Sequence, residues 1–468
     1  MATYKTPGVY VKEISLRPPS VAEVATAIPA FIGYTQKAKK IQDDDLRRVP
    51  TRITSLAEYK QYFGETDPLP FSIDLVEDSV TGVITIQSIL SPTLKYLTYY
   101  CMQMFFANGG GPCYIVSVGS LSDPIAKGND TSGLQGGLKL IEKEDEPTLI
   151  VIPEATSLTS KADFFDLMNE ALGQCRKLMD RFAIMDIYGE DTTDFRRSIR
   201  SDPGYLKYGA AYHPWLETSL SFAFDEETVQ IGSHLDENGA APGTDLSGKK
   251  LGADAVKIQK KALYILIREE LVKLSVTLPP SAAVAGVYSR VDESRGVWKA
   301  PANVGLLRAV KPTIKITNKE QEDLNVDSTT GKSINAIRAF TGKGILVWGA
   351  RTLAGNDNEW RYIPVCRFFN MVEESVRKST AWAVFEPNDA NTWIKVKSMI
   401  ENYLILKWRA GALAGSKPDD AFFVKVGLGT TMTARDILEG RMNVEIGMAV
   451  VRPAEFIIMK FSHKMQQA

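Results

Sequence analysis

Cysteine and histidine are scarce in this chain: its 468 residues hold four of the first and three of the second. Cys101, Cys113, Cys175 and Cys366 show no CxxC spacing, and His213, His234 and His463 stand far apart, so the pattern supports neither a disulfide framework nor a clustered zinc site. Buried free thiols are the expected state. Long apolar runs are missing too. The longest, such as Leu149–Pro153, fall far short of the roughly 20 residues that cross a bilayer, and Met1–Lys12 has no secretory core. These absences predict a chain made and folded in a cytoplasm, with no direct membrane contact. Net charge is nearly absent as well: 55 Lys+Arg against 56 Asp+Glu leave −1, too little for a nucleic-acid binder held by a uniform basic field.

What is present describes a globular protein. With 44% apolar and 24% charged residues, the length suggests roughly three domains at about 150 residues each, enough to bury real cores. The charge is unevenly spread. Residues 1–40 hold six bases against two acids and residues 351–468 sixteen against thirteen, so both ends are basic while residues 41–350 carry −8.

The pattern along the chain predicts a mixed α/β fold. Thr6-Pro7-Gly8 breaks the chain, Val9-Tyr10-Val11-Lys12-Glu13-Ile14 is strand-like, and Pro18-Pro19 forbids a helix, so residues 1–24 read as an extended arm. Residues 28–34 form the first buried strand, and Ser55 with Glu58 marks the start of a short helix to Phe63. Helical spacing at Leu94, Leu97, Cys101, Met104 and Phe105 ends at Asn108-Gly109-Gly110-Gly111-Pro112, and residues 113–118 follow as a strand. The same alternation recurs in residues 148–152, 161–180 and 182–187, predicting helices packed on a sheet across a central domain of residues 25–350. Residues 219–251, rich in Asp, Glu, Gly and Asn, read as an exposed acidic loop. Two strands meet at Gly342-Lys343-Gly344. Residues 351–450 read as a separate domain with two helices, 366–382 and 392–411, parted by Glu386-Pro387-Asn388-Asp389. Two strand-like runs, 443–451 and 454–461, close the chain about Arg452-Pro453, with 451–468 as a second arm. Neither internal repeat nor low-complexity tract is found.

Motifs for chemistry are poor. Gly243-Thr-Asp-Leu-Ser-Gly248-Lys249-Lys250 resembles a phosphate-binding loop but has Lys where the magnesium ligand belongs, and no buried strand precedes it. Gly331-Lys332-Ser333 lacks the first glycine, since Val326 stands there. No GxSxG elbow occurs, and none of the three histidines is paired in sequence with a nucleophile and an acid, which leaves a serine hydrolase without a triad. Glu269-Glu270 and Glu373-Glu374 sit on predicted helices as solvated charge. No catalytic residue, cofactor or metal is therefore assigned. The arms carry a sharper signal: a strand tied to its domain by a proline hinge leaves main-chain groups unpaired, and either folds back on its own sheet or is exchanged with a neighbour.

Thr6-Pro-Gly-Val-Tyr-Val-Lys-Glu13, Pro18-Pro-Ser-Val-Ala-Glu-Val and Thr26-Ala-Ile-Pro-Ala-Phe-Ile-Gly-Tyr34 resemble the opening of contractile tail sheath proteins, found in contractile phages, R-type pyocins and related extracellular injection systems. So do Phe106-Ala-Asn-Gly-Gly-Gly-Pro-Cys-Tyr114, Tyr208–Trp215, Pro279–Gly286, Arg295–Asn303, Val347-Trp-Gly-Ala-Arg-Thr-Leu353, Phe385-Glu-Pro-Asn388, Trp408–Leu413 and Pro453-Ala-Glu-Phe456. The matches run in order along nearly the whole chain, weakest at residues 219–251. The resemblance implies a structural sheath subunit, not an enzyme, that polymerises in stacked hexameric rings around an inner tube. It would assemble extended in the bacterial cytoplasm as part of a virion or tail-like particle, and contract to drive the tube through a target envelope. Baseplate and tail terminator proteins are the other implied partners, with no cofactor. A subtilisin-like hydrolase and a P-loop NTPase are the alternatives. Two site expectations follow. The arm residues Val9, Tyr10, Val11 and Ile14 are expected to pair with Val444, Ile446, Phe456, Ile457, Ile458 and Met459 of neighbours. Arg367, Arg377 and Lys378, beside the apolar stripe of Phe369, Val372 and Val376, are expected to touch an acidic inner tube.

Overall fold

The structure, a computed structural model, describes residues 20–459. They divide into two compact units, a larger one of residues 25–370 with 452–459 and a smaller one of residues 20–24 with 371–451.

The larger unit is built on a nine-stranded sheet in which Pro29–Thr35 lies between Leu149–Val151 and Cys113–Ser120. Six neighbouring strands are parallel: 335–340, 209–213, 182–186, 149–151, 29–35 and 113–120. Antiparallel strands close both sides, Gly344–Trp348 and Val304–Gly305 on one, Thr51–Ile53 on the other. The parallel strands read as apolar runs because helices cover both faces. Their side chains divide between the faces with period two. Phe31, Leu149, Val151, Phe182, Ile184, Ala210 and Tyr212 pack against helices Thr98–Ala107 and Ser281–Arg295. Ala30, Ile32, Ile150, Ala183, Met185 and Ala211 pack against helices Gly133–Ile141 and Lys161–Leu178.

The two helices on the first face both begin on a buried carboxylate at the C-terminal edge of the sheet. Glu154, just past strand Leu149–Val151, accepts from the Leu97 and Thr98 amides (3.1 Å each), the Thr98 hydroxyl (2.8 Å) and the Tyr34 amide (2.5 Å). Asp186 accepts from the Ser281 amide (2.8 Å) and hydroxyl (2.5 Å). Helix N-termini hold unpaired N–H groups and partial positive charge, so a carboxylate is their natural cap. Burial pushes both carboxyls up to about 7, against the pull of these donors. Gly33 makes the approach possible: a Cβ there would stand 2.1 Å from Thr98 Oγ1 and 2.6 Å from Glu154 Oε2.

Residues 219–251 are not simply a loop, as their composition suggested. They contain strand Gln230–Asp236, which pairs in parallel with Ser72–Glu77, itself antiparallel to Ile84–Leu90. Val229, Ile231, Leu246 and Leu251 join Phe71, Ile73, Leu75 and residues of helix Lys261–Lys273 in a separate apolar core. The few inward positions are apolar and the many outward ones acidic or small, so average composition hid the strand. Within residues 238–248 the polar loop expected there is found.

The smaller unit holds helix Ala390–Arg409, whose N-cap Asp389 accepts from the Thr392 amide (3.0 Å), and a two-stranded antiparallel sheet, Phe422–Val426 with Val444–Met448. The boundary between units falls within helix Ile363–Ser379.

The two capped carboxylates should respond differently to neutralisation. Asp186→Asn keeps an acceptor for the Ser281 amide and a donor for its hydroxyl, so thermal unfolding should move little. Glu154→Gln sets an NH2 against an N–H in either orientation and should cost about 2–3 kcal/mol, and Gly33→Ala at least as much from overlap with buried groups. Both carboxyls titrate higher in the folded chain than in the unfolded one. Their contribution to stability is therefore full below about pH 4 and is lost as pH rises through about 7. Melting temperatures measured from pH 5 to 8 should fall with pH, and Asp186→Asn should flatten that slope.

Candidate functional site: an open sheet and the roots of two arms

The positions that resembled enzyme motifs are occupied by structural contacts. Lys332 is 1% exposed, and its ammonium donates to the Arg196 and Ile199 carbonyls (2.5 Å each) at the end of helix Thr192–Ser198. In the 243–250 segment the Gly248 amide bonds the Ile231 carbonyl and the Ile231 amide bonds that of Lys249, both at 2.8 Å. The loop's backbone closes on its own strand and makes no phosphate cradle. His234 is buried, with Nδ1 accepting from the Leu246 amide (3.2 Å). His213 is buried as well, and burial pushes its pKa down. Ser281 meets Asp186 directly, without an intervening imidazole. His463 lies outside the described residues. Among the described residues no cluster of three or more metal-ligating side chains occurs, and no helix is long and apolar enough to cross a membrane.

The two-stranded sheet of the smaller unit has a different character. Its register sets Val426 opposite Val444, Val424 opposite Ile446 and Phe422 opposite Met448. The Ala449 amide bonds the Ala421 carbonyl (2.8 Å), so by antiparallel alternation the paired bonds fall at 447/423 and 445/425. The main-chain groups of Val444 and Ile446 then point away from their partner strand. Among the described residues neither has another backbone partner. Beyond the end of this edge, Leu413 bridges Val450. Phe423, 43% exposed, lies over Gly447, where a Cβ would stand 2.2 Å from its ring.

Both arm roots are pinned. In the smaller unit the Ala22 and Val24 amides donate to the Ser379 and Ser375 hydroxyls (3.0 and 3.1 Å), and Glu23 pairs with Lys407. Ser375 and Ser379 stand one helical turn apart, so they meet alternate amides of an extended segment. In the larger unit Glu455 takes Arg351 Nη2 at 2.6 Å and Nε at 3.0 Å, the Asn325 amide at 3.0 Å and the Tyr362 hydroxyl at 3.3 Å. Burial pushes this carboxyl up, but the Arg351 fork and the other donors hold it below the usual range. After Glu455 the chain is bare: Phe456, Ile457, Ile458 and Met459 are 71%, 76%, 84% and 70% exposed and lie in no strand.

The structure thus brings Val444 and Ile446 together on an open edge and leaves Phe456–Met459 without the strand expected of residues 454–461. A lone strand has no partner for its main chain. Val9, Tyr10, Val11 and Ile14 lie outside the described residues. Arg367 is a correction: it is 4% exposed, its guanidinium held by Asp292 (2.5 and 2.9 Å) and the Thr26 carbonyl (2.9 Å) and set over the Tyr288 ring, so it serves the interior of the larger unit. Arg377 and Lys378 lie at the exposed end of the helix, each paired with Glu374. Sequence reasoning missed Glu455 with Arg351, although each is the lone charge of a family-like segment, 453–456 and 347–353.

An open two-stranded sheet in the smaller unit and, in the larger unit, a last described segment of exposed apolar side chains are features of a subunit of an assembly. Comparison with known proteins agrees. Residues 355–464 match the phage tail sheath C-terminal domain and residues 243–353 the phage tail sheath protein central domain. The tail sheath proteins of Enterobacteria phage T4 and Vibrio phage KVP40 are 25% and 27% identical over 130 residues, 27% of this chain in each case. That match spans 19% of each relative's own length. Among solved structures, a chain of the contracted helical sheath of the anti-feeding prophage is similar at 30% identity and TM-score 0.65, covering 99% of this chain and all of that one. A chain of the contracted sheath complex of the PVC extracellular contractile injection system gives 30% identity and TM-score 0.64, with 99% of each chain covered. The chain belongs to the contractile tail sheath protein family.

The Phe423–Gly447 contact predicts that Gly447→Ala will displace the aromatic ring and loosen the two-stranded sheet by about 1–3 kcal/mol. Hydrogen exchange should quicken across residues 422–426 and 444–448 and remain as before in the nine-stranded sheet.

Proposed function

We propose that this chain is a structural subunit of a contractile sheath, stacking in hexameric rings around an inner tube in a metastable extended state and contracting to drive the tube through a cell envelope. It would assemble in the bacterial cytoplasm into a virion tail or tail-like particle and engage baseplate and terminator proteins at its ends. The role is mechanical rather than catalytic. One observation carries the reading: among the described residues Val444 and Ile446 offer an unpaired edge, while the chain beyond Glu455 exposes four consecutive large apolar side chains. Unpaired main chain and bare apolar surface are both unfavourable in a monomer, and one event, strand addition from a neighbouring copy, relieves both. Residues 8–14 of a second copy are the proposed further strand.

The smaller unit is the proposed tube-facing domain, with contact through Arg377 and Lys378. Each pairs with the buried Glu374 from the solvent side, and an ion pair open to solvent on one side can be exchanged for acidic groups on a tube. Contraction needs only a small preference per subunit for the contracted lattice, multiplied over many coupled copies.

Removal of residues 1–14 should give folded protein that forms no tubes in negative-stain images; intact sheaths from that truncation refute the strand exchange. Ile446→Pro deletes an outward N–H without touching the bonds to strand 422–426, so it should likewise leave the melting temperature near the parent's and abolish tubes. Reversal of Arg377 and Lys378 to glutamate should weaken co-sedimentation with inner tubes in proportion to falling salt. Unchanged tube binding would remove those residues from the contact.

A further inference from the structure

The two arms are rooted on different units. The N-terminal root, residues 22–24, is held within the smaller unit by Ser375, Ser379 and Lys407, and two residues later Thr26 is bonded within the larger unit to Asp292 (2.6 Å) and to Arg367. At the other end the Val451 amide bonds the Ala412 carbonyl (3.1 Å) within the smaller unit, and four residues on Glu455 is clamped by Arg351 within the larger one. Arg351 is 4% exposed at its side chain and also donates to the Asn325 and Gly355 carbonyls, so it is a fixed post rather than a surface cation. Residues 451–459 alternate in exposure up to the clamp, with Pro453 and Glu455 half-buried, and are uniformly exposed after it. The free C-terminal arm therefore begins at Phe456.

We infer that the Arg351–Glu455 pair is a positioning device that sets the working length of the C-terminal arm, so that movement of the larger unit is passed to the neighbouring copy without slack. This rests on the strand-exchange reading above. Strand pairing tolerates rotation at its ends, but an extended arm transmits displacement only when it is taut. Release of Glu455 would hand residues 452–455 to the arm, about 13 Å of additional chain at about 3.3 Å per residue. One subunit could then move by that amount before its neighbour felt a pull, and a contraction wave would stall between rings.

Glu455→Gln in the full-length chain is the test, because it removes the anion while leaving Arg351 its carbonyl partners. Chymotryptic cleavage after Phe456 in the soluble protein should quicken about tenfold or more, because the clamp holds the residues that a protease must bind in extended form. Tubes should still form, but after brief exposure to denaturant a large share should be contracted over only part of their length, where the parent contracts throughout. Cleavage after Phe456 equal to the parent's overturns the inference, as does faster cleavage in a variant whose tubes contract throughout. Glu455→Asp, which keeps the charge but shortens the reach, should fall between the two; a variant indistinguishable from Glu455→Gln in cleavage but contracting like the parent also overturns it. Deletion of residues 456–468 separates the two readings. If that truncation forms normal tubes, strand exchange itself is wrong. If it forms none while Glu455→Gln behaves as the parent, only the positioning role falls.

Discussion

Every main-chain N–H and C=O taken from water must find a partner, and the two units of this chain meet that obligation in opposite ways. In the larger unit the interior of the main sheet meets it internally. Its parallel strands are paired on both sides, its sheet is bounded by antiparallel strands, and two helices that would begin with orphan amides begin instead on Glu154 and Asp186. The smaller unit does not. A sheet of two strands is at the limit of independent stability, and this one keeps the outward groups of Val444 and Ile446 available. The same physical rule accounts for the closed interior of the one sheet and for the edge that, among the described residues, stays open in the other.

One of the buried carboxylates also occupies the place where an α/β sheet of this type customarily takes its ligand. Ligands of such sheets bind beyond the C-terminal ends of the strands, where neighbouring connections leave in opposite directions. Here that place lies at strand Pro29–Thr35, flanked by Leu149–Val151 and Cys113–Ser120. Glu154 fills it and spends both oxygens on the Tyr34, Leu97 and Thr98 donors, with Gly33 bare so that the carboxylate fits. A carboxylate whose oxygens are both taken by fixed donors in this way is a structural pin.

Much of this was legible in the amino-acid order because it follows from period and punctuation. Residues 28–34, 113–118 and 182–187 are apolar runs bounded by turn residues, and each is a strand of the main sheet within a residue or two. Asp389 closes a turn and caps the helix that follows. What escaped was of two kinds. In residues 219–251 a minority of inward apolar positions, Val229 and Ile231 among them, built a core beneath a surface whose acids dominated the average. With charges, sequence shows a residue but not its partner. Arg367 looked like part of a basic patch with Arg377 and Lys378, yet its partner Asp292 is 75 residues away and only the fold could reveal that the two meet. Glu455 and Arg351 are the same case over 104 residues.

That last pair bears on how a sheath can be both linked and mobile. A strand added to a neighbour's sheet is held by several main-chain bonds in a line, so it resists sliding while its two ends remain free to swivel. Linkage of this sort constrains distance and leaves orientation open. Distance, however, is set by where the arm leaves its own body, and a swivel at the far end is of no use if the near end pays out chain. A forked ion pair with a buried arginine suits the near end because its geometry is fixed on the arginine side by carbonyls that belong to the body, and breaking it would leave a guanidinium out of water without its counter-charge. Roots fixed on different units add a second consequence for the proposed strand exchange: a turn of one unit against the other would move the two arms' origins relative to each other, so a rotation within one subunit would become a displacement for its neighbours. In that reading the open sheet supplies attachment, and the roots convert attachment into transmitted motion.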